Sequence, residues 1–291
     1  MTEALSKLLS LLALEEIDPN IYRGPNTNEN RPRVFGGQVA AQALVAANRT
    51  VPASLPVHSL HAYFLRPGDP KLPIVYKVER IRDGKSFTTR LVVAVQRGEA
   101  IFNLSASYHA SEPGHEHQVE MPEAPPPESC ITWEQWFAPL LDKVPAGLKD
   151  ALLRDRPIEI RPVDPIDMGN PQPSGMHQRF WLRANGVLSD DPLVHQSIAT
   201  YASDHTLLGA ALRPHGLTFL SRNMMLASLD HAIWFHRPFR CDQWLLYSQI
   251  SPAGFGARGL SFGHYFTQEG VLVASMAQEG LMRRIDPQRK A

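Results

Sequence analysis

SLHAYFLRPGD, from Ser59 to Asp69, can be laid against SLDHAIWFHRPFR, from Ser228 to Arg240, so that Arg66-Pro67 falls beside Arg237-Pro238. The correspondence continues downstream, where Gly84 and Gly98 meet Gly256 and Gly270 at a nearly constant spacing. The two halves of the chain therefore read as diverged copies of one domain. Each copy opens with a helical run of small and apolar residues, GGQVAAQALVAANRTV from Gly36 and PLVHQSIATYASDHTLLGAALR from Pro192. Each continues into alternating, β-branched and aromatic segments broken by Gly-containing turns. In IVYKVERIRDGKSFTTRLVVAVQRGEAIFNLSASYH the turns are Arg82-Asp83-Gly84 and Arg97-Gly98-Glu99. One helix followed by an antiparallel meander predicts an α+β domain whose sheet packs on the helix. Ala40, Ala41, Ala43, Ala46 and Ala47 would let that sheet come close to the helix backbone, where Leu or Phe would hold it away.

Between Glu112 and Pro173 the text changes. Pro122, Pro125, Pro126 and Pro127 cluster, and further prolines punctuate a charged stretch, which reads as a connector. The expected organisation is an N-terminal domain over residues 1–111, a Pro-rich connector over 112–173 and a C-terminal domain over 174–291 that carries the active site. Within the connector Trp133, Trp136, Phe137, Leu140 and Leu141 recur at helical spacing, predicting a short helix able to cap a neighbouring surface.

With 291 residues, 43% of them hydrophobic, the chain can bury one large core or two medium ones. Lys+Arg and Asp+Glu both number 29, so no global field draws in nucleic acid or an anionic membrane. The opening MTEALSKLLSLLALEE has apolar residues at helical spacing broken by Glu3, Lys7, Glu15 and Glu16, and is expected to be an amphipathic surface helix rather than a signal peptide. No stretch approaches the roughly 20 uncharged apolar residues that cross a bilayer, so stable membrane insertion is not expected. Cys130 and Cys241 are isolated and far apart, which fits a reducing, cytoplasmic location better than a disulfide framework or a Cys-based metal site.

The sequence resembles the type II acyl-CoA thioesterases in five stretches: RVFGGQVAAQAL at Arg33 to Leu44, SLHAYFLRPGDP at Ser59 to Pro70, YASDHTLLGAAL at Tyr201 to Leu212, SLDHAIWFHRPF at Ser228 to Phe239, and VLVASMAQEGLMR at Val271 to Arg283. Any one of these alone is weak, and their joint order is specific. The resemblance implies a tandem double hotdog, each copy a helix wrapped by an antiparallel sheet. It further implies hydrolysis of fatty acyl-CoA to free fatty acid and CoA, with no cofactor and no metal, by a homodimer or homotetramer. The family's water-orienting Asp, hydroxyl residue and Gln fall on Asp204, Ser228 and Gln278. Many relatives carry Thr at the hydroxyl position, and Ser228 keeps the donor and acceptor while losing the methyl group that restricts rotation. The spacing that carries Gly84 to Gly256 carries Ala106 to Gln278, so the first copy lacks this set and one active site per chain is expected.

Each of these residues also has an ordinary reading. Asp204 could be a helix-surface carboxylate, yet it flanks an apolar stripe formed by Val194, Ile198, Tyr201, Leu208 and Leu212, where an unpaired charge is costly. Gln278 shares strand parity with Leu272, Ala274 and Met276, and its ordinary reading is a solvent-edge glutamine. Ser228 is expected to begin a strand, where turn hydroxyls are common. His205 lies on the helical stripe beside Asp204 and reads as a core histidine bonded to a carbonyl, with general base as the sharper alternative. His58, His61 and His109 are not joined by Cys or carboxylate at ligand spacing. Neither a G-x-S-x-G nucleophile elbow nor a G-x-x-x-x-G-K phosphate loop occurs. Arg66 and Arg237 sit at matched places, which suggests a shared structural bond to a strand-end group, against contact with CoA phosphates. Two rival functions remain open: a non-catalytic acyl-CoA-binding hotdog protein and a hotdog enoyl-CoA hydratase.

Overall fold

Along FTTRLVVAVQ the buried residues alternate, Thr88, Arg90, Val92, Ala94 and Gln96 facing in, which is the period of a strand with one face on a core. The same logic repeats across a computed structural model that describes residues 1–27 and 32–285. The first half holds α1 (Glu3–Leu12), β1 (Glu15–Asp18), β2 (Ile21–Gly24), α2 (Gly36–Asn48), β3 (Val57–Phe64), β4 (Ile74–Asp83), β5 (Phe87–Gln96) and β6 (Glu99–His109). Then follow α3 (Trp133–Phe137), α4 (Ala146–Leu153), β7 (Ile158–Pro162), β8 (His177–Ala184), α5 (Pro192–Ser203) and α6 (Leu207–Leu212). The chain closes with β9 (Met224–Ser228), β10 (Asp230–Phe235), β11 (Leu245–Phe255), β12 (Arg258–Thr267) and β13 (Leu272–Arg284).

The strands form one sheet in the order β1-β2-β4-β5-β6-β3-β10-β13-β12-β11-β8-β7, with β9 added to β13. This order is the same series written twice, outward from the antiparallel pair β3–β10, where Leu60 faces Ile233 and Ala62 faces His231. Each half wraps a helical element, α2 in the first and the broken pair α5–α6 in the second, where α6 lies on β11, β12 and β13 and α5 packs on α2, and both halves contribute to one continuous apolar core. The tandem hotdog expected from the sequence is the architecture found. Ala40, Ala41, Ala43, Ala46 and Ala47 are all at most 1% exposed. The two helices meet so closely that a Cβ on Gly37 would lie 2.4 Å from the carbonyl oxygen of Tyr201. Among the described residues no helix is long and apolar enough to cross a membrane.

The repeated arginines take the same bond. Arg66 Nη1 donates to the carbonyl of Ala100 (2.7 Å) and Arg237 Nη1 to that of Leu272 (3.1 Å), each the opening of the matched strand, β6 or β13. Their repetition therefore serves the strand framework.

α1 forms as the amphipathic surface helix expected, with Leu5, Leu8 and Leu12 buried against the core and Glu3, Ser6, Lys7 and Ser10 exposed. Several other local expectations change. The run from Pro192 is not one helix: it stops at Ser203, turns through Asp204 and His205, and restarts at Leu207. Two buried glutamines explain the break, because Gln178 Nε2 donates to the Thr206 carbonyl (2.8 Å) and Gln249 Nε2 to its hydroxyl (2.6 Å), drawing the turn towards the sheet. Ser228 ends β9 rather than beginning a strand, since Leu229 separates it from β10. Leu272 does not share the face of Ala274 and Met276, because a bulge skips Val273 and sends Leu272 to a second cluster with Trp181, Trp244, Leu246 and Phe266 on the opposite side of the sheet. The short helix expected around Trp133 is α3, opened by a capping box between Thr132 and Gln135. β7, also inside the stretch read as connector, pairs with β8 at the sheet edge.

Candidate active site

Asp204 caps the C-terminus of α5, at the point where the turn swings its carboxylate between the two halves. Oδ1 accepts from Gln278 Nε2 (2.6 Å) and from Ser228 Oγ (2.9 Å), and Oδ2 accepts from the backbone N–H of Gly37 (2.9 Å). The structure thus brings together all three residues singled out by the sequence, from α5, β9 and β13. Sheet register sets the distance between the latter two, because Ser228 faces Gly280 across the β9–β13 ladder, two residues beyond Gln278. Leu208 packs over Gly280, where a Cβ would lie 2.2 Å from Leu208 Cδ1 and would require that side chain to move.

The sequence reading missed the third grip, which comes from the other copy. Gly36 and Gly37 open α2, and a Cβ on Gly36 would sit 2.7 Å from Asp204 Oδ2. Two glycines at a helix start were the available signal, since backbone can approach a carboxylate this closely only where no side chain intervenes.

Asp204 and Ser228 lie in the wall of a cavity of about 570 Å³. One side is built by the first half through Arg33, Val34, Phe35, Phe64, Arg66 and Phe102. The other side includes Trp133, Trp136, Ile166 and Met168 from the connector, with Phe180 and Leu212. Gln278 is absent from the wall. It is 1% exposed and sits behind Asp204, its Oε1 without a partner among the described residues. In the first copy Ala106, at the place matching Gln278, is fully buried opposite Leu60.

His205 also lines the cavity, with Nδ1 donating to the Tyr201 carbonyl (3.3 Å) and its ring edge-on to Phe35. Desolvation, helped by the nearby Arg156 charge, lowers it to about 4, so it is neutral near pH 7. Behind Asp204, His231 is 1% exposed and bonds Ser203 Oγ through Nε2 (2.8 Å), and burial lowers its pKa against the opposing pull of Asp204 and Asp230. Of the three histidines of the first copy, His58 bonds Ser107 and meets the edge of the His109 ring, His109 stacks on Phe87, and His61 meets the edge of Trp234. Among the described residues no three His, Cys, Asp or Glu side chains are grouped to hold a metal ion.

Comparison with known proteins agrees with this architecture along the chain. The family pattern described as acyl-CoA thioesterase matches residues 152–281, and that described as acyl-CoA thioesterase N-terminal domain matches residues 25–109. The chain is 42% identical over 287 residues to human acyl-coenzyme A thioesterase 8, covering 96% of this chain and 89% of that protein. It is 39% identical to acyl-CoA thioesterase 2 of Haemophilus influenzae, over 97% and 99% of the two chains. Among solved structures, the acyl-CoA thioesterase II TesB2 of Mycobacterium marinum superposes with a TM-score of 0.78 at 44% identity, covering 95% of this chain and 98% of that one. A tandem hotdog, a carboxylate held between its halves and this degree of identity over nearly the full length have one reading: the chain belongs to the acyl-CoA thioesterase family.

Proposed function

We propose that this chain hydrolyses fatty acyl-CoA to free fatty acid and CoA, using a water oriented by Asp204, Ser228 and Gln278. The observation that carries the reading is a single carboxylate in the wall of a largely apolar cavity, gripped at both oxygens by donors from three separate elements. Such a grip holds the base in one orientation before substrate arrives. Asp204 takes a proton from the water as the water oxygen attacks the thioester carbonyl carbon. Ser228, beside it in the wall, keeps its lone pairs for the same water, while Gln278 holds the carboxylate from behind. The oxyanion falls to the backbone N–H of Gly36, which lies in the wall at the start of α2, where the helix dipole favours negative charge, while the N–H of Gly37 stays on Asp204. When the carbonyl re-forms, the C–S bond breaks and the leaving thiolate takes the proton from Asp204, so water and thioester become acid and thiol. The names of the relatives support the substrate class.

The test is thiol release from a panel of short to long acyl-CoAs by the parent, Asp204→Ala and Asp204→Asn, each checked for folding by thermal melting. Turnover in the parent, with a loss of about 10²–10⁴-fold in the variants, is the expected result. Saturable acyl-CoA binding without thiol release would move the reading to a non-catalytic acyl-binding protein.

We also propose a cytoplasmic homodimer or homotetramer. Cys130 and Cys241 are both free, which suits a reducing compartment. Tyr63 and Trp234, 59% and 37% exposed on the adjacent strands β3 and β10, leave aromatic surface on the outer face of the sheet for a second copy. Light scattering of the purified chain tests the assembly, and a monomeric mass refutes it.

A further inference from the structure

The carboxylate of Asp204 is only as fixed as the turn that carries it, and the buried layer behind that turn holds a histidine that the hydrolytic reading does not use. His231 is 1% exposed in β10, and its Nε2 lies 2.8 Å from the hydroxyl of Ser203, the last residue of α5 and the one before Asp204. Ser203 Oγ gives its single proton to the Thr200 carbonyl (2.9 Å), so it meets His231 with a lone pair and the imidazole donates from Nε2. Tyr247 grips the backbone of the same residue, its hydroxyl donating to the Ser203 carbonyl (3.0 Å). Burial lowers the His231 pKa by more than the Asp204 and Asp230 charges raise it, so the ring is neutral near pH 7. Its Nδ1 is then a bare acceptor, and it has no partner among the described residues. Ala232 faces Ala277 in the β10–β13 ladder, which brings His231, one step along, beside Gln278, and both side chains are buried. One imidazole thus ties the end of α5 to the strand next to the one that carries Gln278.

The bare nitrogen sets His231 apart from a residue that only fills space. A buried acceptor without a partner is destabilising, and a phenyl ring would occupy similar volume without it. What a phenyl ring could not do is donate to Ser203. Resting on the hydrolytic reading above, we infer that His231 is a positioning residue for Asp204: by holding Ser203 it fixes the last turn of α5 against β10, and with it the approach of the carboxylate to Gln278 Nε2 (2.6 Å). Neither His231 nor Ser203 lines the cavity, so the pair bears on the orientation of the base and not on the binding of substrate. Orientation is enough to matter, since a misplacement of about 1 Å can lower a rate by about a hundredfold.

The experiment measures kcat, KM and melting temperature for the parent, His231→Phe, His231→Gln, Ser203→Ala and the double variant His231→Phe/Ser203→Ala, using the acyl-CoA that the parent cleaves fastest. His231→Phe should melt close to the parent, with kcat lower by roughly tenfold or more and KM little changed. His231→Gln offers an amide N–H near the place of Nε2 and should restore part of the loss. Ser203→Ala removes the same bond from its other end, so the double variant should be no slower than the slower single one. A folded His231→Phe with the kcat of the parent overturns the inference. A double variant whose loss is the product of the two single losses also overturns it, because the two residues would then act separately, and so does a glutamine variant as slow as the phenylalanine one. If His231→Phe does not fold, Ser203→Ala decides: a kcat loss with KM kept supports the inference, and parent kinetics overturn it. All of these leave hydrolysis standing, whereas absence of thiol release by the parent overturns the thioesterase reading and this inference with it.

Discussion

The backbone N–H of Gly37, from the first copy of the domain, donates to the carboxylate of Asp204, from the second, at 2.9 Å. The copy that lacks the Asp, hydroxyl and Gln set thus supplies one of the three bonds that hold the carboxylate. A double hotdog built this way cannot be divided at its connector without removing a donor from the site.

Gly37→Ala tests that dependence. The new Cβ would lie 2.4 Å from the Tyr201 carbonyl oxygen and 2.6 Å from the Phe35 ring, so α2 must move away from α5. The expected cost is about 1–3 kcal/mol of stability, read by chemical denaturation, with kcat falling at least tenfold as the N–H is withdrawn. Gly147→Ala in α4, where nothing lies within 4 Å of the new Cβ, is the control and should stabilise by about 0.5–1 kcal/mol.

Gln278→Leu should separate stability from turnover. The side chain is buried behind Asp204, outside the cavity wall, and its Oε1 has no partner. Leucine of similar volume removes that unsatisfied acceptor, so the melting temperature should hold or rise. Asp204 loses its 2.6 Å bond at the same time. Steady-state kinetics should therefore show kcat down by roughly ten to a hundredfold with KM little changed.

Ser228→Ala removes the hydroxyl that donates to Asp204 Oδ1 at 2.9 Å and should also lower kcat by roughly ten to a hundredfold. Ser228→Thr keeps the hydroxyl and adds a methyl group that restricts its rotation, so activity should be retained. A threonine variant as inactive as the alanine variant would mean that the site depends on the space beside Ser228 rather than on its hydroxyl.

Acid should destabilise the fold through its buried histidines. His205 is lowered from 6.5 to about 4, and desolvation lowers the buried His195 and His231 and the partly buried His58 and His264 in the same direction. Between those values the unfolded chain binds protons that the folded chain refuses. Stability is therefore fully present above the unfolded value and is lost as pH falls through the window towards about 4. Urea denaturation across this range should show the decline, and His205→Gln should flatten it by up to about 3 kcal/mol. An unchanged slope in that variant would remove His205 from the account.

The local text of this chain was enough to show two copies of one unit, each a small-residue helix followed by a meander, because strand and helix periods and turn residues act over a few neighbours. It was enough, with the family resemblance, to single out Asp204, Ser228 and Gln278. It was not enough to break the helix at Asp204. That break depends on Gln178 and Gln249 reaching Thr206 from β8 and β11, and nothing in YASDHTLLGAAL records where those strands will lie. The bulge that separates Leu272 from Ala274 was hidden for the same reason, since it belongs to the register between two strands rather than to either one.

What the sequence determined by itself was the repeat, the α+β class of each copy and the residue types available to the chemistry. What only the tertiary structure decided was which of them share a site: Gly37 with Asp204, the connector's Trp133 and Trp136 in the cavity wall, and Gln278 behind the carboxylate. The physical reason is that propensity and periodicity are short-range. A site of this kind is made where α2 meets α5 and β3 pairs with β10, contacts between residues far apart in the chain that form only when the two copies close on one core.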